Sequence, residues 1–220
     1  MIALHPYLEH TYLQPDISDA RVEEMVAQAI QHRFVGLCLP PYWIKKARRD
    51  LGQSTEVQLV TVIGFPLGYQ RTEAKLAEIT CALQDGADEV DVVMNYSAFC
   101  ANPHWVKVEW VRCAQLVHQT EKLIKVILET ESLTEEQVAL AARLARDAGV
   151  DFVKTSTGWQ KGDQQRKLHL VKQLRQWLPD YVGIKASGGI RTRAEAEQFI
   201  AAGAERIGTS AAVAMVSDAV

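Results

Sequence analysis

Short runs rich in valine, isoleucine and leucine recur along the whole chain, separated by segments with a helical pattern. The helical segments, such as VEEMVAQAIQ and EEQVALAARLARDAG, carry apolar residues at i, i+3, i+4 and i+7, which is typical of surface helices. Dividing the 220 residues among eight strand–helix units gives about 27.5 residues a unit, so the repeat accounts for the full length. The apolar runs begin at Tyr7, Phe34, Gln58, Asp88, Lys122, Asp151, Tyr181 and Glu205, and the first is the weakest.

A degenerate repeat supports this alternation. The segments DGADEVDVV, AGVDFVKTS and AGAERIGTS each place a glycine after a helix, at Gly86, Gly149 and Gly203, with a strand just beyond it. Glycine suits these positions because a helix often ends in a left-handed residue, a conformation that glycine adopts without strain. We therefore predict an α/β protein with one (β/α)8 TIM barrel domain over residues 1–220, and a doubly wound open parallel sheet is the alternative.

The overall charge argues against two classes of partner. The chain carries 24 Lys and Arg against 27 Asp and Glu, a formal net charge of -3, so its field would not attract a nucleic-acid backbone or an acidic membrane. With 48% hydrophobic and 23% charged residues, the composition is that of a folded globular protein and excludes disordered and collagen-like classes. We expect neither nucleic acid nor membrane as a partner.

Cysteine and histidine usage bears on the compartment and on metal binding. Cys38, Cys81, Cys100 and Cys113 form no C-x-x-C pair, which favours a reducing environment over a disulfide scaffold. The first ten residues lack the basic and hydrophobic regions of a signal peptide, and no apolar run reaches 18 residues, so we predict a cytoplasmic protein. The six histidines show no H-E-x-x-H spacing, and we predict no metal.

Polar side chains fall at regular positions within the apolar strands. Successive side chains of a strand point to opposite faces, and in a barrel one face packs on the helices while the other fills the centre. This alternation places Asp91, Lys125, Glu129, Lys154 and Lys185 opposite the valines and isoleucines of their strands, and so on the inward face.

Two of these lysines predict covalent chemistry. Lys154 and Lys185 lie on consecutive strands at the same parity, and neighbouring strands are about 4.8 Å apart. A lysine pKa near 10.4 leaves about one amine in a few thousand neutral at pH 7, but burial and a neighbouring cation both lower that pKa. A neutral amine is a nucleophile. The alternative is a structural charge network in which Asp91 and Glu129 neutralise the three lysines.

Two donor-rich loops at the end of the barrel predict an anion site. SGGIR (187–191) follows the seventh strand and GTS (208–210) follows the eighth, and barrel enzymes often hold phosphate between these two loops. GFPLG (64–68) after the third strand is either a turn at the rim of the site or a purely structural turn.

The motifs TVIGFPLG, GADEVDVV, KVILET, FVKTSTG, GIKASGGIR and AERIGTS, in this order, resemble the deoxyribose-phosphate aldolase family over nearly the whole chain. The resemblance implies a class I aldolase in which Lys154 forms a Schiff base with C1 of 2-deoxyribose 5-phosphate. Asp91, Lys185 and a water would relay protons, and the products would be acetaldehyde and glyceraldehyde 3-phosphate. The resemblance implies no metal or organic cofactor, so the partners are phosphosugar and aldehyde substrates, and the sequence is compatible with a homodimer.

The resemblance also implies binding residues, and some positions depart from the family pattern. Glu9 and Gln14 stand where the family has Asp and Lys, Tyr69 and Arg71 follow GFPLG, and Trp159 replaces a smaller residue, so we expect an altered pocket shape. The chain ends about ten residues after Ser210, without the longer tail of some members. Residues carried over by motif are Gly158, Gly188, Gly189, Arg191, Gly208 and Ser210 around the phosphate, Lys125 and Thr155 at the centre, and Cys38 on the second strand.

Two other functions are compatible with the same residues. One is a related Schiff-base phosphosugar aldolase or a transaldolase-like enzyme, which would use the same lysine chemistry on a different sugar phosphate. The other is a phosphosugar-binding barrel that has lost catalysis through the changes at Glu9 and Gln14.

Overall fold

The computed structural model describes residues 2–52 and 56–217, and in these ranges eight parallel strands close into a barrel. Each strand pairs with the next along the chain, and β8 pairs with β1. The expectation of a short C-terminal tail concerns the end of the chain, where residues 218–220 lie outside the described residues. The strands are β1 (Leu8–Thr11), β2 (Gly36–Leu39), β3 (Gln58–Ile63), β4 (Glu89–Val93), β5 (Leu123–Ile127), β6 (Phe152–Lys154), β7 (Gly183–Ser187) and β8 (Arg206–Thr209).

Helices cover the outside of the barrel between the strands. Several begin at a side-chain cap, and Thr134 and Thr192 each form a capping box with the residue three positions later. No helix in the described ranges is long and apolar enough to cross a membrane. In those ranges the α-helices are α1 (Asp19–His32), α2 (Ile44–Leu51), α3 (Thr72–Gln84), α4 (Tyr96–Ala101), α5 (Pro103–His118), α6 (Glu135–Asp147), α7 (Gln164–Trp177), α8 (Arg193–Ala201) and α9 (Ala212–Ser217).

The predicted (β/α)8 barrel is confirmed. Every one of the eight apolar runs contains a strand, including the weak first run, and the pairing of β8 with β1 rules out the open-sheet alternative. The three repeat glycines Gly86, Gly149 and Gly203 have φ angles of 100°, 77° and 107°, as expected for residues that end helices.

The strands separate an apolar exterior from a mostly polar interior. Val90, Val92, Ile124 and Val126 belong to the large hydrophobic core in which the barrel packs on its helices. A smaller apolar group inside the barrel consists of Cys38, Val60 and Val62, with Leu13 and Phe65 packed against it. Charged side chains share the rest of the interior with Phe152, whose ring centre lies 5.9 Å from Lys125 Nζ, so the fold concentrates ionisable groups at its centre.

Two inward positions are glycines because long charged side chains occupy the space beside them. A Cβ added at Gly36 would lie 3.0 Å from Glu9 Cγ, and one at Gly208 would lie 3.1 Å from Lys185 Cε. Both distances are tighter than ordinary van der Waals contact. The small residues of β2 and β8 therefore make room for charges that enter from neighbouring strands.

The GFPLG turn after β3 is tightly packed against the end of β4. Phe65 packs against the apolar group of Cys38, Val60 and Val62, and Gly68 has a φ of 69°. A Cβ at Gly68 would collide with the backbone carbonyl of Met94. The turn thus has a structural role in addition to its position at the rim.

We predict that Gly68→Ala lowers the free energy of unfolding by about 2–4 kcal/mol, since it combines left-handed strain with a backbone collision. Gly149→Ala is the matched control, because Gly149 has a φ of 77° but no neighbouring atom within 4 Å of the added Cβ. We expect that variant to lose only about 1–2 kcal/mol. Urea unfolding measures both, and equal losses would show that the contact with Met94 contributes nothing.

Candidate active site

Three lysine side chains meet at one carboxylate in the centre of the barrel. Asp91 Oδ1 accepts from Lys125 Nζ at 3.0 Å, and Asp91 Oδ2 accepts from the amines of Lys154 and Lys185 at 2.9 and 2.6 Å. The strand register produces this meeting, because Asp91 pairs with Lys125 across β4 and β5 and Lys154 pairs with Lys185 across β6 and β7. The four side chains share the interior, as the strand alternation predicted.

Two further carboxylates, those of Glu89 and Glu9, complete the charge cluster. Glu89 binds Lys125, and Glu9 binds Lys185 and lies 3.6 Å from Lys125 Nζ. Arg206 is a more distant fourth cation, 3.9 Å from a carboxylate oxygen of each glutamate. The strand alternation puts Glu89 on the same face as Asp91, whereas Glu9 was not predicted to lie in the interior.

The alternative in which Glu129 is a counter-ion of the lysines is wrong. β5 ends at Ile127, and Glu129 has a left-handed backbone with a φ of 52°, so the alternation no longer sets its direction. Its carboxylate instead accepts from Ser156 Oγ at 3.1 Å and from the backbone N–H of Thr157 at 3.2 Å. The three lysines therefore face the carboxylates of Asp91, Glu89 and Glu9, and not that of Glu129.

Burial and charge pairing act in opposite directions on these groups. Burial alone would raise the pKa of Asp91, but the three lysines outweigh it and hold that pKa well below its usual range. The pKa of Glu9 is also lowered, since Lys125 and Lys185 outweigh burial. For Lys125 and Lys185, burial would lower the pKa, but the carboxylates around them raise it. Asp91 is therefore an anion and Lys185 a cation at neutral pH.

Lys154 differs from the other two lysines in its contacts and in its access. It contacts one carboxylate, Asp91, whereas Lys125 contacts three and Lys185 contacts two. Lys154 also lines a cavity of about 300 Å³ at the carboxyl ends of the strands, where the other two lysines are absent from the lining. The structure thus presents one amine of the cluster to an incoming molecule.

The lining of this cavity is suited to an anion. Its described lining residues include two basic side chains, Lys154 and Arg191, and no acidic one. Among the described residues, the backbone amides of Gly189, Ile190 and Ser210 form no hydrogen bond with the protein. Free amides beside a positive side chain are typical of phosphate sites. The lining residues shared with the sequence predictions are Lys154, Gly158, Gly188, Gly189, Arg191, Gly208 and Ser210.

Comparison with known proteins places this site in a family. The model of the DeoC/LacD family aldolases matches residues 7–215. The chain belongs to the DeoC/LacD aldolase family. It is 43% identical over 212 residues to a deoxyribose-phosphate aldolase of Thermosynechococcus vestitus, an alignment that covers 94% of this chain and 93% of that protein.

Other members of the family agree over the full barrel. A deoxyribose-phosphate aldolase of Lactococcus lactis is 39% identical over 213 residues, covering 97% of this chain and 95% of that protein. The tetrameric deoxyribose phosphate aldolase of Aeropyrum pernix superposes with a TM-score of 0.87 at 34% identity, covering 98% of this chain and 90% of that one.

In this family member, three of the residues carried over by motif lie outside the cavity lining. Lys125 is fully buried beneath Asp91, and Cys38 is buried among the apolar side chains of the interior, where burial raises its thiol pKa to about 11. Thr155 is also buried and absent from the lining. Its hydroxyl donates to the carbonyl of Ser187 at 3.2 Å.

The departures from the family pattern fall in different places. Gln14 lines the reaction cavity with Lys154, whereas Arg71 is exposed and pairs with Glu73 at 3.5 Å. Tyr69 and Trp159 line a separate, largely apolar cavity of about 240 Å³. Within the described ranges, no group of three His, Cys, Asp or Glu side chains could hold a metal ion.

We predict that Lys125→Met destabilises the fold by about 3–5 kcal/mol, because it leaves buried carboxylates without their cation. Lys122→Met is the control, since Lys122 has a 38% exposed side chain and pairs with Asp88 outside the barrel interior. We expect that variant to lose less than about 1 kcal/mol. Chemical denaturation measures both variants, and equal losses would contradict a central role of Lys125 in the charge cluster.

Proposed function

We propose that this chain is a class I aldolase that cleaves 2-deoxy-D-ribose 5-phosphate into acetaldehyde and D-glyceraldehyde 3-phosphate. The observation that carries the proposal is the arrangement of one cavity, with the Lys154 amine at one wall and the glycine loops with Arg191 at the other. The relatives in Thermosynechococcus vestitus and Lactococcus lactis, named deoxyribose-phosphate aldolases, support the choice of substrate.

Lys154 acts as the nucleophile. Its neutral amine attacks the C1 aldehyde of the open-chain sugar, and loss of water from the adduct gives a protonated imine. The imine withdraws electrons from C2, so the C2–C3 bond breaks when the C3 hydroxyl gives up its proton. Glyceraldehyde 3-phosphate leaves, and an enamine remains on Lys154. Protonation of the enamine at C2 and addition of water then release acetaldehyde and the free amine.

Asp91 and Lys185 move protons beside this amine. Asp91 Oδ2 lies within hydrogen-bonding distance of both Lys154 and Lys185, so a proton can pass between the two amines through one carboxylate oxygen. The carboxylates of Asp91 and Glu9 raise the pKa of Lys185, which favours its cationic form.

The other end of the cavity holds the phosphate. Gly188 and Gly189 have φ angles of 86° and 78°, which allows two successive left-handed residues in the loop after β7. The free amides of Gly189 and Ser210, together with Arg191, supply hydrogen bonds and charge to the phosphate oxygens. Gly158 and Gly208 also line this cavity, and their lack of a side chain leaves space for the phosphate to approach the backbone.

Two further proposals concern assembly and location. The relative from Aeropyrum pernix is tetrameric, and this supports the proposal that the present chain self-associates, with a homodimer as the simplest form.

The four cysteines are all free thiols, which supports the proposal that the protein lies in a reducing cytoplasm.

We predict that borohydride reduction in the presence of acetaldehyde adds a stable two-carbon adduct to the peptide that contains Lys154. Lys154→Arg should abolish both trapping and cleavage, because a guanidinium stays protonated and cannot form an imine. Peptide mass spectrometry locates the adduct, and Lys161→Arg is the control, since Lys161 is exposed. An unmodified Lys154 would refute the assignment. Binding of the sugar phosphate without cleavage would favour the non-catalytic barrel.

We predict that Asp91→Asn lowers the rate of cleavage by about 10²- to 10⁴-fold, the range expected for loss of a general acid–base group. An amide cannot accept a proton from Lys154, whereas the carboxylate of Asp91 can. A coupled assay for triose phosphate measures the rate, and circular dichroism checks that the barrel remains folded. Near-normal cleavage would show that Asp91 has a structural role only.

A further inference from the structure

One backbone carbonyl at the anion wall receives two side-chain donors from the same helix. Lys167 Nζ donates to the carbonyl oxygen of Gly188 at 2.6 Å, and Gln164 Nε2 donates to the same oxygen at 2.9 Å. Both residues lie on α7, behind the loop that follows β7. The reaction cavity is lined by Gly188 but by neither of these two side chains.

Lys167 is a buried charge with one carboxylate partner. Only 2% of the residue is exposed, and its amine lies 2.8 Å from Glu131 Oε1, whose side chain is itself buried. Gly162 lies so close to Glu131 that any side chain at position 162 would collide with it. Glu131 and Lys167 also line a separate cavity of about 220 Å³. Burying two charges costs several kcal/mol per ion before pairing, and an apolar pair would avoid that cost.

The position of the Gly188 carbonyl determines the direction of the next amide. The peptide bond between Gly188 and Gly189 is trans and planar, so its C=O and N–H point in opposite directions. Because Lys167 and Gln164 hold the carbonyl towards α7, the Gly189 N–H points away from α7, on the side of the cavity that Gly189 lines. A cation on the carbonyl also polarises the peptide and strengthens the N–H as a donor.

Without these contacts, nothing in the two glycines would fix this peptide. Glycine populates both signs of φ about equally, so a Gly-Gly turn can rotate its central peptide at little cost. The carbonyl would then be free to face the cavity, where its partial negative charge would repel an anion. The loop therefore depends on an external contact to keep its donor side towards the ligand.

We propose that Lys167, with Glu131 as its counter-ion and Gln164 as a second donor, is a positioning residue that sets phosphate affinity by orienting the Gly188–Gly189 peptide. This proposal rests on the proposed function, in which the cavity wall at Gly189 holds the substrate phosphate. Lys167 acts through the backbone and does not touch the substrate. It therefore acts on binding of the phosphate and leaves the chemistry at Lys154 unchanged.

The test is Lys167→Met, which keeps the length and apolar stem of the side chain but removes the charge and the donor. We expect KM for 2-deoxyribose 5-phosphate to rise about tenfold or more, in line with loss of a charged hydrogen bond, while kcat changes less than about twofold. The kcat/KM for unphosphorylated 2-deoxyribose should stay the same. Lys172→Met is the matched control, because Lys172 is an exposed lysine on the same helix, and all its constants should equal those of the unaltered protein.

A second variant guards against a folding defect. Gln164→Leu removes the other donor to the same carbonyl, at a partly exposed position, and should raise KM for the phosphorylated sugar in the same direction by a smaller factor. Equal losses with the phosphorylated and unphosphorylated sugars in both variants would overturn the proposal, because they would indicate a general structural effect.

Direct binding of inorganic phosphate separates this proposal from the proposed function. Calorimetry on the unaltered protein and on Lys167→Met measures phosphate affinity without any reaction. A weaker affinity in the variant supports the positioning role even if the protein fails to cleave 2-deoxyribose 5-phosphate. Equal phosphate affinity in the two proteins would overturn the positioning role even if cleavage is found.

Discussion

The carboxylate of Asp91 is the contact on which the interior of this barrel depends. Three ammonium groups in a closed space would repel one another strongly, and Asp91 touches all three with its two oxygens. Glu9 and Glu89 then compensate the two lysines that lie deepest. As a result, Lys154, the lysine that lines the cavity, has the fewest carboxylate contacts of the three.

The same arrangement connects the fold with the proposed chemistry. A parallel barrel has no free edge, so side chains that point inward are removed from bulk water whatever their polarity. The interior of most barrels is filled with branched apolar residues, but here the apolar group around Val60 and Val62 shares the interior with a cluster of buried charges. Burying these charges costs free energy. The glycines of β2 and β8 have no side chain and so leave space for the charged side chains beside them.

The sequence allowed a reliable prediction wherever an ordinary strand governed the side chain. Asp91, Lys125, Lys154 and Lys185 lie inside strands with clear alternation, and their shared location followed from parity. Glu129 did not follow, because a left-handed residue after β5 ends the alternation. The pairing of Glu9 with Lys185 could not be found from local pattern, since it needs the closure of β1 against β8 and a register across 176 positions of sequence.

The close fit between Gly36 and Glu9 restricts how the first two strands can vary. Glu9 reaches Lys185 because it has one more methylene group than aspartate, and the bare backbone of Gly36 accepts that methylene. Any larger residue at position 36 would force the Glu9 side chain away from Lys185. An aspartate at position 9 would move the carboxylate away from Lys185 and leave an unfilled gap. Positions 9 and 36 are therefore coupled, and a substitution at one of them requires a matching substitution at the other.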